Sequence, residues 1–263
     1  MNHPGLFIVI EGSDGAGKST QLKLTEGRLL ALGYEVATVS FPRYRAKSSY
    51  FIRQYLAGAY GPASEISPYT ASLFYAVDRY EAAAKIRNAL SEAKIVLADR
   101  YVGSNMAHQG SKFASHGEKR GFFIWAESLE FELLGIPRPD INIYLHLPTD
   151  ISVQRINSRA KEASLSTDEH EKDHTHLKNT VETYELLCKL FPKDFIRINC
   201  SAAGRQLAVK EVSDKLWQVI KPLLPPNPPN KSRSLTVKLV SEHTTQRGDP
   251  KNRTKNRRRS KKK

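Results

Sequence analysis

Residues 6–20 read LFIVIEGSDGAGKST, and the reading of this stretch decides the fold. Leu6–Glu11 is a near-continuous apolar run closed by one acid, the pattern of a strand covered on both sheet faces. Gly12-Ser13-Asp14-Gly15-Ala16-Gly17-Lys18-Ser19-Thr20 then fits G-x-x-x-x-G-K-[ST]. An amphipathic stretch, Lys18–Leu32, follows until Gly33 stops it. Strand, glycine loop and helix together are the context this motif requires. The glycines let successive backbone N–H groups turn inward around phosphate oxygens, and the opening helix adds the positive end of its dipole. Lys18 is spaced to reach the β- and γ-phosphates of a nucleotide, and the Ser19 hydroxyl to help hold Mg²⁺. The alternative is a plain glycine-rich turn, which matches the four fixed positions by chance in roughly one chain of this length in a hundred.

Working outward, short apolar runs alternate with longer amphipathic ones. Glu35–Phe41, Ile95–Asp99, Ile141–Leu147 and Phe195–Cys200 read as four more strands. Tyr69–Leu90, Lys119–Leu134, Ser152–Lys161, His176–Leu190 and Gln206–Ile220 read as helices. This alternation predicts an α/β chain: a five-stranded parallel sheet wrapped by helices, in the P-loop NTPase manner, with its binding loops at the carboxyl ends of the strands.

The proline-rich run PLLPPNPPN, residues 222–230, predicts a linker between a domain at 1–221 and a tail at 231–263. The chain carries a formal net charge of +14. Thirteen Lys and Arg of the tail, set against Glu242 and Asp249, account for most of it. The tail is therefore expected to be disordered, with weak nonspecific binding to nucleic acid or other polyanions. It has no aromatic residue for base stacking, so nucleic-acid binding as the main function leaves the phosphate loop unexplained. Two unpatterned cysteines, Cys188 and Cys200, suit a reducing cytoplasm. No apolar run reaches the ~20 residues of a membrane span, and the N-terminus has no basic stretch of a signal peptide.

Four stretches resemble the thymidylate kinase family of nucleoside monophosphate kinases: EGSDGAGKSTQ, FPRY (41–44), YTASLFYAVDRYEAA (69–83) and ADRYVGSNMAHQG (98–110). The resemblance runs from about Leu6 to Ile220. It implies ATP- and Mg²⁺-dependent phosphorylation of dTMP to dTDP, commonly by a homodimer. By this resemblance Arg100 binds the acceptor phosphate, Tyr75 stacks on the thymine, Arg79 hydrogen-bonds its edge and Asp14 contacts the 3′-hydroxyl. Asp99 matches the carboxylate that organises Mg²⁺ and its waters. Phe41, Tyr44, Ser104, Asn105, His108 and Gln109 line the same pocket. Each has a plainer reading: Tyr75 or its neighbour Phe74 as core, Arg79 paired with Asp78 or Glu81 on a solvated face, Asp99 as a turn cap.

Two positions depart from the family's pattern. His108 stands where many relatives carry tyrosine near the sugar, and Gly15 where some carry an arginine. Charge on the transferring phosphoryl group then has to be met from elsewhere. Residues 155–161, RINSRAK, resemble the family's mobile lid; Arg155 and Arg159 share one helix face, and either can serve as the principal lid arginine. The alternative here is a solvated basic helix. Kinases for other monophosphates or for deoxynucleosides share this architecture and remain the competing assignment.

HEKDH (170–174) formally matches the zinc-hydrolase pattern H-E-x-x-H. That chemistry needs a helix with buried non-ligand faces and a third ligand. The surrounding STDEHEKDHTHLK is nearly all polar and supplies neither, so the phosphate loop outweighs it.

Overall fold

β1 (Leu6–Glu11) is buried along its whole length, because it lies in mid-sheet with helices on both sides. Parallel partners flank it: β3 (Ile95–Asp99) in the register Leu6↔Ile95 to Ile10↔Asp99, and β4 (Ile141–His146) in the register Ile8↔Ile141 to Glu11↔Tyr144. β2 (Val36–Ser40) joins β3, and β5 (Phe195–Asn199) joins β4, completing the five expected parallel strands. The computed structural model describes residues 4–155, 174–202, 204–226 and 236–238.

Alternation along the strands separates two cores. Phe7, Val9, Val39, Val96 and Tyr144 point to one face, beneath α3 (Pro68–Ser91), α4 (Val102–Gly110), α5 (His116–Glu127) and α7 (His174–Leu190). Leu6, Ile8, Ile10, Ile95 and Ile143 point to the other, beneath α1 (Lys18–Ala31) and α8 (Val209–Ile220). A short α2 (Tyr50–Leu56) packs on α3, and residues 149–155 form a helical segment, α6, beyond β4. A two-stranded hairpin, β6 (Ser201–Ala202) and β7 (Arg205–Gln206), precedes α8, where the sequence suggested helix from Gln206.

One boundary differs from expectation for an identifiable reason. α5 starts at His116, ahead of Lys119, because Ser115 and Glu118 form a reciprocal capping box: Glu118 N donates to Ser115 Oγ at 3.2 Å and Ser115 N to Glu118 Oε2 at 2.9 Å. Its far end runs into a π-helical turn, Ser128–Leu133.

The tail also departs from uniform disorder. Thr236–Lys238 form β8, a sixth strand parallel to β2 in the register Val36↔Thr236 to Thr38↔Lys238. Residues 235–240, LTVKLV, are the tail's one β-prone run, and the outer edge of β2 offers unpaired backbone groups. Nor is the proline run a clean break, since Tyr34 Oη donates to the Pro225 carbonyl at 2.6 Å. The rest of the tail, and residues 156–161 of the expected lid, lie outside the described residues.

Candidate active site

At the carboxyl end of β1 the loop turns through Gly12, Gly15 and Gly17 at positive φ. A Cβ at Gly12 would sit 3.0 Å from the Leu145 carbonyl oxygen, so β4 closes one side of the loop. Gly17 (φ 90) is the N-cap of α1, with no capping side chain and no acid in the first turn. The free N–H groups and positive dipole end of α1 are thus left for an anion. A cavity of about 790 Å³ lies there, and Asp14, Gly15, Gly17, Lys18, Ser19 and Thr20 form one wall. Gly12, Ser13 and Ala16 are not among the lining residues, and Ser13 and Ala16 are buried. Lys18 Nζ folds back to the Ser13 carbonyl at 2.9 Å. Burial, then the nearby Arg100 charge, pushes the Lys18 ammonium down to about 8, against the pull of Asp14, Asp99 and Glu11.

Asp99, Arg100, Gln154 and Arg155 also line this cavity. Arg155 Nη1 lies 3.7 Å from the position a Gly17 Cβ would take, so the guanidinium rests against the loop. Its expected partner Arg159 lies outside the described residues, as does the HEKDH side-chain set. Asp99 Oδ1 is buried without a hydrogen-bond partner, and Ser19 lines the same cavity. One hard carboxylate oxygen and one hydroxyl beside a phosphate site suit Mg²⁺, which keeps most of its waters and shares phosphate oxygens. Among the described residues no group of three or more His, Cys, Asp or Glu could hold a metal by itself.

A second, smaller cavity of about 170 Å³ adjoins the first and shares Asp14, Phe41, Pro42, Tyr44 and Arg100 with it. Its other walls are Leu56 from α2, Tyr75 and Arg79 from α3, and Tyr101, Ser104, Asn105, His108 and Gln109 at and within α4. All ten residues expected around an acceptor therefore gather in one chamber. Both side-chain ends of Asn105 and Oε1 of Gln109 are buried without partners. Phe74, the alternative to Tyr75, packs instead against Phe51, Tyr55 and Tyr60.

Arg100 joins the chambers. Its Nη2 donates to Asp14 Oδ1 at 2.6 Å, and its Nη1 to the Gly12 carbonyl at 3.0 Å and to Ser104 Oγ at 3.1 Å. His108 Nε2 is 3.2 Å from the same nitrogen. The backbone at Arg100 is left-handed (φ 66), with its N–H on the Ile10 carbonyl at 3.0 Å. Burial works to raise the Asp14 pKa; Arg100, Lys18 and His108 outweigh it and hold that carboxyl well below the usual range.

Residues 10–224 match the family model described as thymidylate kinase. The chain belongs to the thymidylate kinase family. It is 33% identical over 211 residues to a thymidylate kinase of Leifsonia xyli subsp. xyli, covering 80% of this chain and 93% of that one. It is 30% identical over 181 residues to the Mycobacterium tuberculosis thymidylate kinase, covering 68% and 84%. Thymidylate kinase from Candida albicans shares the fold at a TM-score of 0.62 and 19% identity, covering 85% of this chain and 94% of that chain.

In this thymidylate kinase family member three buried residues missed by the sequence reading hold the site together. The Glu11 carboxylate accepts from Tyr101 N at 2.9 Å, Ser104 N at 3.0 Å, Ser104 Oγ at 2.5 Å and Tyr184 Oη at 2.9 Å. It caps α4 from β1, and α4 is a helix that the sequence pattern does not announce. Tyr184 stacks on Tyr144, ring centroids 4.6 Å apart. Glu130 pairs with Arg79, so the solvated-face reading fails: Asp78 and Glu81 pair with Arg43 instead. Arg43 of the FPRY stretch is thereby committed to structure. One signal was legible: an acid closing an otherwise apolar, fully covered strand has to meet donors.

Proposed function

We propose that this chain transfers the γ-phosphoryl group of ATP to dTMP, forming dTDP and ADP. The observation that carries the reading is the pair of cavities meeting at Asp14 and Arg100, one walled by a phosphate loop and the other by aromatic and amide side chains. The relatives' names support thymidylate as acceptor.

The 5′-phosphate of a monophosphate is largely dianionic near neutral pH, its second pKa being about 6. It attacks without a general base, so catalysis reduces to positioning and charge neutralisation. The loop N–H groups and Lys18 grip the donor phosphates. Arg100 holds the acceptor phosphate at the shared wall, and Arg155, with Arg159, meets charge developing on the transferring group. Ser19 and, through water, Asp99 would hold Mg²⁺, which when bound would offset negative charge on the donor phosphates. Tyr75 stacks on the base, Arg79 meets its edge, and Asp14, kept ionised, accepts from the 3′-hydroxyl. Phe41, Tyr44, Ser104, Asn105, His108 and Gln109 complete the wall.

Three further parts of the reading rest on other observations. Leu73, Val77 and Tyr80 form an exposed apolar stripe on α3, which supports a homodimer. The basic tail supports weak polyanion binding. Free Cys188 and Cys200 fit a cytoplasmic setting. No helix among the described residues is long and apolar enough to cross a membrane.

A coupled ADP-release assay across the common nucleoside monophosphates tests the central claim. dTMP should give the highest kcat/KM, with ATP and Mg²⁺ required. A clear preference for AMP, CMP or GMP would remove the thymidylate assignment and leave the kinase reading standing.

A further inference from the structure

The helix that begins at His116 loosens after Glu127 into the π-helical turn Ser128–Leu133. Such a turn adds a residue to the helical repeat, changes which side chains face inward, and concentrates at functional sites. Within this turn Glu130 is fully buried (0% exposed) against Arg79, itself 2% exposed. Glu130 Oε2 accepts from Arg79 Nε at 2.9 Å, and Oε1 accepts from Nη2. One side of the guanidinium is therefore filled. Nη1 makes only a long 3.5 Å contact to the Tyr101 carbonyl, and Arg79 lines the smaller cavity. A buried ion pair loses much of its Coulombic gain to desolvation, and apolar side chains of similar volume often pack as well. Stability alone does not account for it, whereas its bidentate geometry fixes an orientation.

We propose that Glu130 is a positioning residue for base selection, locking Arg79 so that its remaining N–H groups admit a carbonyl at position 4 of a pyrimidine and reject an amino group. This deepens, and rests on, the reading in which Arg79 meets the base edge. A guanidinium has donors and no acceptor. Thymine presents an oxygen at position 4 and cytosine an amino group, so cytosine sets N–H against N–H in a desolvated chamber. A buried polar site rejects an analogue that leaves its groups unpaired far more strongly than an apolar pocket rejects a missing methylene. The rejection holds only while the arginine cannot swing aside, and Glu130 supplies that restraint.

The test compares kcat and KM for dTMP and dCMP in the native enzyme, Glu130→Gln and Arg79→Ala, each checked for folding by thermal melting. In Glu130→Gln the dTMP-to-dCMP ratio of kcat/KM should fall about tenfold, through a raised KM for dTMP with kcat within about twofold. Arg79→Ala should lower the ratio at least as far. The ratio is read within one preparation, so a partly unfolded sample does not move it. An unchanged ratio in Glu130→Gln beside a collapsed one in Arg79→Ala overturns the proposal and leaves the base-edge role of Arg79 intact. An unchanged ratio in Arg79→Ala removes both. Should Glu130→Gln not fold, Glu130→Asp keeps the charge on a shorter arm; a reduced ratio there supports the proposal and an unchanged one overturns it.

Discussion

Glu11 accepts a 3.0 Å hydrogen bond from the backbone nitrogen of Ser104, a residue on a different element, 93 positions along the chain. The strand that feeds the phosphate loop thus caps the helix that follows Arg100. Ser104 Oγ donates to Glu11 and accepts from Arg100, which passes the restraint on to the guanidinium.

Glu11→Gln keeps the shape but replaces one acceptor oxygen with a donor amide and removes the charge. Hydrogen bonds to a charged group are worth about 1.5–3 kcal/mol each, so the variant should lose at least that much stability in urea unfolding. It should also raise KM for dTMP, because Arg100 loses its anchored neighbour. Native stability together with native KM would show the cap to be incidental.

Lys18 titrates at about 8 in the folded chain against an ordinary 10.5. The unfolded chain binds that proton more tightly, so this residue's contribution to stability rises as pH climbs from about 8 towards 10.5. In activity the same proton loss removes charge from the donor site. kcat/KM for ATP should fall above about pH 8, whereas kcat should hold to higher pH, since bound phosphates stabilise the ammonium. A kcat/KM flat from about pH 7 to about pH 10 would contradict this.

Lys18→Ala and Arg100→Ala should fail differently. In the proposed reading Lys18 contacts the transferring group, so its loss should fall mainly on kcat. Arg100 there grips the acceptor, so its loss should raise KM for dTMP and lower kcat as well. Steady-state kinetics with each substrate varied separates the two, and near-normal kinetics in Arg100→Ala would relocate the acceptor phosphate.

Two truncations divide the tail. Removing residues 239–263 takes away ten Lys and Arg and should leave catalysis and melting temperature unchanged while RNA binding at low salt drops sharply. Removing 231–263 also deletes β8, which bares the edge of β2 and should cost roughly 1 kcal/mol, visible as a melting shift of a few degrees at most. A large loss of activity in the shorter truncation would mean that the basic residues dock on the catalytic face.

The sequence made visible what depends on local chemistry. β1, the phosphate loop and α1 were legible because glycine positions, apolar runs and helical period all lie within thirty residues of one another. The acceptor chamber was legible only through resemblance, since Tyr75 and Arg79 come from α3, Gln109 from α4 and Phe41 from the end of β2. Glu130 was hidden because its partner is 51 residues away and because a π-helical turn, not a regular helix, points it inward. α4 was hidden because Gly103 and Gly110 weaken its helical signal while Glu11, its cap, belongs to a strand. At Gly103 a Cβ would come within 2.9 Å of Glu11 Oε1 and 2.8 Å of Phe195, so the glycine that obscures the helix is what permits its capping.

The Asp14–Arg100 pair belongs to the walls of both chambers. Two ligands that touch one shared ion pair do not bind independently. Whatever the first does to the guanidinium, by drawing it away from Asp14 or pressing it closer, is done to the second ligand's wall before that ligand arrives. Thermodynamic linkage makes the effect mutual: if dTMP tightens ATP by some factor, ATP tightens dTMP by the same factor. With donor and acceptor bound as proposed, their affinities in this enzyme become one joint quantity, and a substitution at either Asp14 or Arg100 should shift both.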